Sequence, residues 1–142
     1  MKISDHITYA EAIHSNTAKR RGIDNTPSEI QVLSMKLLAD KIFEPLRKFV
    51  GGPIKVIGGV ASSQHCKGQA IDIDDVYGRK TNAEMYKWIQ ENLDYDQMIW
   101  EFGTDTQPNW IHISYVSKEE NRNKCLKAYK EHGKTKYKVI SS

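Results

Sequence analysis

Ile30, Leu33, Leu37, Ile42, Leu46 and Phe49 recur at helical spacing, so one long amphipathic helix is expected from the Thr26-Pro27-Ser28-Glu29 capping box to about Phe49. Proline stands there at the first helical position, where its missing amide is not needed. Pro45 lies inside the pattern and is expected to bend the helix or loosen its last turn. This stripe reads as core, the scaffold on which a sheet rests. Thr81-Asn82-Ala83-Glu84 is another capping box and opens a helix whose apolar face is Ala83, Met85, Tyr86, Trp88, Ile89 and Leu93. A third box, Thr8-Tyr9-Ala10-Glu11, predicts a short helix that ends by Gly22.

Elsewhere the apolar positions run at strand spacing. Pro53 to Ile57 reads as a strand. So does Ala70-Ile71-Asp72-Ile73, with Asp72 on the face opposite Ile71 and Ile73. Asp96 to Phe102 and Trp110 to Val116 predict a hairpin across the polar loop 103–109. In the lysine-rich tail, Leu126, Ala128 and Tyr129, then Tyr137, Val139 and Ile140, flank His132-Gly133-Lys134. Two short edge strands around a turn fit this pattern, with a helix over 119–130 as the rival. The expected fold is one α+β domain over residues 1–142, an antiparallel or mixed sheet with helices packed against it.

The length, 142 residues, suits one domain with a core of its own. No run of about 18 apolar residues occurs, so no membrane-spanning helix is expected. Met1 to His6 lacks an apolar signal core, and classical secretion is not expected. Two cysteines, Cys66 and Cys125, make no disulfide framework, and Cys66 reads as a free thiol. The net charge of +3 is a weak pull toward an anionic partner. Lysines alternating along the tail read as protection of edge strands rather than as a surface for nucleic acid or another polyanion.

Chemistry concentrates in Ser63 to Asp74. His65 and Asp72 stand seven apart, which on a helix would separate them by about 10 Å, too far for one metal ion. A loop that turns at Gly68 and enters a strand can bring them together. A carboxylate in so apolar a run must be paired, hydrogen-bonded or bound to a cation. Catalytic zinc takes three protein ligands and keeps a fourth position for water, which makes His112, inside a second apolar strand, the candidate third ligand. Either histidine taken alone reads as a hydrogen-bonded structural residue. His6 and His14 read as structural or exposed, and Asp74 and Asp75 as groups behind the site or in solvent.

SSQHCKGQAIDID, followed by IWEFG and PNWIHISY, resembles the signature SxHxxGxAxD…WxH of the zinc D-Ala-D-Ala carboxypeptidase and L-alanyl-D-glutamate endopeptidase family, whose fold is the hedgehog/DD-peptidase type. The likeness extends to the amino-terminal half, through ITYAEAIHSNTAKRRGIDNTP and the long helix after it. It implies that His65, Asp72 and His112 hold Zn2+ at one edge of the sheet. Ser63, Gln64 and Trp110 become candidate substrate contacts, although Trp110 and Trp100 read first as packing groups beside the site. The chain departs from the family at two places. No arginine occurs between Arg47 and Arg79, where relatives carry one that holds the substrate. Asn109 stands three residues before His112, where much of the family has a carboxylate.

A zinc peptidase needs a general base, and asparagine accepts no proton at neutral pH. Glu101 is the first candidate, provided the register of its strand turns it toward His112, and Asp105 the second. A salt-bridged strand carboxylate is the alternative for Glu101. The function expected from the resemblance is cleavage of peptidoglycan stem peptides, at a terminal D-amino acid or at the L-alanyl-D-glutamate link. Its setting would be that of a bacteriophage lysin or virion-associated enzyme, cytoplasmic until released, with no membrane and no nucleic acid as partner. The rival is a non-catalytic, zinc-stabilised wall-binding or structural module. The sequence says nothing of oligomeric state.

Overall fold

A computed structural model describes residues 2–4, 6–8, 29–58 and 69–141. Residues 9–11 of the Thr8–Glu11 capping box and the helix after it, residues 26–28 of the Thr26–Glu29 box, the loop residues Ser63, Gln64, His65 and Cys66, and His14 lie outside the described residues. Short strands β1 (Lys2–Ser4) and β2 (Ile7–Thr8) pair with each other. The main sheet holds β3 (Lys55–Gly58), β4 (Ala70–Asp74), β5 (Gln97–Glu101), β6 (Trp110–Ser114), β7 (Lys124–Glu131) and β8 (Lys134–Ser141), in the order β3-β4-β6-β5-β7-β8. Its neighbours run antiparallel except β5 and β7, which are parallel. The architecture is therefore α+β with a mixed sheet.

Helices α1 (Glu29–Leu38), α2 (Glu44–Val50) and α3 (Asn82–Asn92) cover one face of the sheet. Met35, Leu38, Ala39, Ile42, Phe43, Leu46 and Val50 pack with Met85, Tyr86 and Ile89 onto Ile71, Ile73, Met98, Ile111, Ile113 and Cys125. Since side chains alternate along a strand, Asp72, Ile99, Glu101, Trp110 and His112 take the opposite face.

The expected single helix is interrupted. Ala39–Phe43 forms a π turn between α1 and α2, and the Glu44 amide donates to the Ala39 carbonyl five residues back. Pro45 supplies the reason: it has no N–H for the Lys41 carbonyl, and its ring would strike that carbonyl in a regular α-helix, so the turn widens ahead of it. The step from Leu37 to Ile42 is five residues, which at about 100° each leaves the two roughly 140° apart on an α-helix. Leu33 and Leu37, expected in the core, are 66% and 37% exposed, and Met35 and Leu38 face inward instead.

At α3 the capping box forms as expected, with Thr81 Oγ1 accepting from the Glu84 amide and Glu84 Oε1 from the Thr81 amide, both at 3.1 Å. The tail forms the hairpin and not the rival helix. Of the hairpin's two strands β8 alone lies at a sheet edge, because β7 inserts against β5. Its two-residue turn, His132-Gly133, has φ of 51° and 77°, the pair of positive values a type I′ turn requires. The parallel β5–β7 junction is held by a buried carboxylate. Arg122 Nε and Nη2 donate to Asp96 Oδ1 and Oδ2 at 2.8 and 2.9 Å, and the Lys124 amide donates to the Asp96 carbonyl at 3.0 Å.

Candidate metal centre

On the sheet face away from the helices, Asp72 of β4 stands directly opposite His112 of β6. Asp72 Oδ1 and His112 Nδ1 are 3.0 Å apart, and the two side chains are 25% and 15% exposed, so the pair is sheltered but reachable. Two histories of local sequence meet here. The alternation Ala70-Ile71-Asp72-Ile73 sends the isoleucines into the core and Asp72 outward. Trp110-Ile111-His112-Ile113 does the same for His112. As a bare pair, His112 Nδ1–H donates to the carboxylate.

The pair also fits a shared cation. Ligand bonds of about 2.0–2.2 Å in tetrahedral geometry place a zinc-bound nitrogen and oxygen roughly 3.3 Å apart, within a few tenths of an ångström of what is observed. Among the described residues no group of three or more His, Cys, Asp and Glu side chains is arranged to hold a metal ion. The third expected ligand, His65, lies outside them. The pair occupies the second and third strands of six, not the expected edge, because β3 extends the sheet beyond β4, with Gly58 opposite Asp72.

Register decides where Glu101 points. Ile99 of β5 is opposite His112 and Glu101 is opposite Trp110, so Glu101 shares the face of Asp72 and His112 and stands diagonally from His112. Diagonal neighbours have Cα atoms about 7–8 Å apart, within reach of a glutamate side chain. Glu101 is 8% exposed. Its strand ends in a constrained turn: Phe102 has φ of 56°, its amide donates to the Ala128 carbonyl, and the Asn109 amide donates to the Glu101 carbonyl at 2.9 Å. Gly103 follows at φ 74°, and a Cβ there would lie 2.2 Å from the Gln107 carbonyl oxygen, so glycine is required. Asp105, the second candidate base, is 94% exposed and bonded to Lys127. That lysine's hydrogen bond holds the Asp105 carboxyl below its ordinary range.

Trp110, half-buried, packs its ring 5.6 Å from Phe102 at a 60° tilt. Trp100 lies on the helix side, edge-on to Tyr86, and is a packing residue. Asn109 is exposed. Asp74 and Asp75 are structural: Asn82 Nδ2 donates to Asp74 Oδ1 at 2.7 Å, and Asp75 Oδ1 accepts from the Gly78 amide at 3.1 Å. His6 is exposed and binds Glu44 at 2.5 Å.

Two residues were not foreseen. Asn82, almost fully buried, also donates to the Pro108 and Asn109 carbonyls and accepts from the Asp75 amide, tying the end of β4 to the loop before β6. It thereby fixes how Asp72 and His112 meet; its position inside a capping box gave no hint of this. Tyr137 lies in the row Glu101, Ala128, Tyr137, one residue per strand on the same face. Burial, and then the charge of Glu101, raise its phenol above the usual value. Family models, curated proteins and solved structures yield no match to this chain.

Proposed function

We propose that the protein is a zinc-dependent peptidase of the hedgehog/DD-peptidase kind, acting on the stem peptides of peptidoglycan. The observation that supports this most is the 3.0 Å approach of Asp72 to His112 on one sheet face, with Glu101 on the same face one strand away. In this reading His65, Asp72 and His112 hold Zn2+. When bound, the ion polarises the scissile carbonyl and lowers the pKa of a water toward about 7. Glu101 takes the proton from the attacking water and delivers it to the departing amine. Trp110 walls the site beside it, and Ser63 and Gln64 contact substrate from the loop before β4. The phage-lysin setting rests on the resemblance alone.

A specific observation favours a second reading. Asn109 replaces the family's usual carboxylate and is exposed, and such a replacement suits a zinc-stabilised wall-binding module without activity. Incubation of zinc-loaded protein with purified peptidoglycan, followed by analysis of released termini, separates the two. The peptidase releases new amino or carboxyl ends, and Glu101→Gln lowers the rate about 10²–10⁴-fold with zinc retained. Retention on the wall with no new ends, or cleavage unchanged in Glu101→Gln, sinks the corresponding assignment.

A further inference from the structure

Charge is spread unevenly over this molecule. The β7–β8 hairpin, 124–141, holds six lysines against one glutamate, a charge of +5, whereas the rest of the chain sums to −2 within the total of +3. Register sorts these lysines by face. Lys127, Lys134, Lys136 and Lys138 share the side of the sheet that carries the helices, with Lys127 opposite Lys138 and Tyr129 opposite Lys136. Every residue from Lys130 to Ile140 is exposed, so the hairpin extends past the helical layer. Lys134, Lys136 and Lys138 recur at every second residue, about 6.8 Å apart, in a straight row.

Protection of an edge strand accounts for lysines on β8. It does not account for Lys127, whose strand is paired on both sides, nor for its place across from Lys138, since like charges facing across a ladder repel. Asp105 relieves part of that repulsion by binding Lys127 from an exposed loop. Glu131 relieves another part by meeting Lys136 at 3.0 Å. Both partners are solvent-exposed carboxylates that an incoming anion can replace. The row thus presents regularly spaced cations to an extended acidic chain. Its one aromatic among the described residues of that face is the half-buried Tyr129, so it offers no series of rings on which bases could stack.

We propose that the helix-side face of the β7–β8 hairpin binds a linear polyol phosphate, the type of acidic polymer that accompanies peptidoglycan. The choice of polymer rests on the wall-directed reading above. The test measures binding of the full chain to synthetic poly(glycerol phosphate), with chelator present so that no metal-dependent step enters. About three phosphates engaged give a slope near −2 in log affinity against log salt, at about −0.7 per phosphate for a single strand. Lys134→Ala/Lys136→Ala/Lys138→Ala weakens binding at least ~10-fold at 50 mM salt and flattens the slope. Asp105→Asn, which removes the competing carboxylate without touching a lysine, tightens it about 2–3-fold. Lys87→Ala/Lys118→Ala, exposed lysines elsewhere, leaves it unchanged. Binding absent at 50 mM salt, a triple variant equal to the parent, or equal affinity for a single-stranded oligonucleotide of matched charge overturns the proposal. Because no hydrolysis is read, failure of the peptidase assignment and failure of this surface appear in different measurements.

Discussion

At the scale of single residues, buried polar groups in this protein are either fully engaged or conspicuously not. Asn82 accepts one hydrogen bond and donates to three carbonyl or carboxylate oxygens while almost wholly buried. Asn82→Ala leaves the Asp75 amide without this acceptor, and it is expected to cost about 1–3 kcal/mol in urea unfolding. Tyr86 is the opposite case. Among the described residues its buried hydroxyl finds no hydrogen bond of good geometry, and the nearby Cys125 Sγ already meets Tyr95 Oη at 3.0 Å. Tyr86→Phe should therefore be neutral or stabilising, by up to about 1 kcal/mol, where an ordinary buried tyrosine would lose stability. A loss above that in the same measurement would mean that the hydroxyl has a partner. The meeting of Asp72 and His112 was legible in the sequence because strict alternation puts both on the face away from the isoleucines. Asn82 was not, since its four contacts come from two segments that local pattern does not relate.

Among the elements, α3 shows how closely local signals can be followed and α1–α2 where they fail. The Thr81–Glu84 box was readable because both of its bonds are made within four residues. The expected stripe of α1 fails at Leu33 and Leu37 because its step from Leu37 to Ile42 is five residues, out of phase with the 3.6-residue turn that Met35, Leu38, Ala39, Ile42 and Leu46 keep. The parallel β5–β7 pair was equally hidden, being fixed by the Asp96–Arg122 ion pair across 26 residues. The capping box also predicts a pH dependence. The Thr81 amide, and then its hydroxyl, lower the Glu84 carboxyl below its ordinary value of 4.5. A depressed acid stabilises the fold above its unfolded value and loses that contribution as pH falls through the folded one. Protection of the first-turn amides of α3 against exchange should fall as pH drops below 4.5, Thr81→Ala should lessen the dependence and Glu84→Gln should abolish it. A variant that keeps the same acid-induced loss would place its origin elsewhere.

For the whole molecule, the sheet acts as a divider. Among the described residues, three helices cover one face, which accounts for most of the core. The other carries the Asp72–His112 pair, Glu101 and the smaller apolar cluster of Ile99, Leu126, Ala128 and Phe102. A cation shared between Asp72 of β4, His112 of β6 and His65 would add a further link between these strands, so its binding should register as global stability. Ligand at 100 times its dissociation constant adds about 2.7 kcal/mol to a fold that alone can bind it. In a chain of this length that corresponds to a rise in Tm of roughly 6–10 °C. Zinc should produce this rise, chelator should reverse it, and magnesium should not reproduce it, because it dehydrates reluctantly and prefers octahedral oxygen ligands. His112→Ala and His65→Ala should each remove the zinc-dependent part. Their effects differ without metal: His112→Ala deprives a sheltered Asp72 carboxylate of its 3.0 Å donor and should lower the metal-free Tm as well. A Tm in His65→Ala that still climbs with zinc as in the parent protein would remove that histidine from the ligand set and leave Asp72 and His112 as a hydrogen-bonded strand pair.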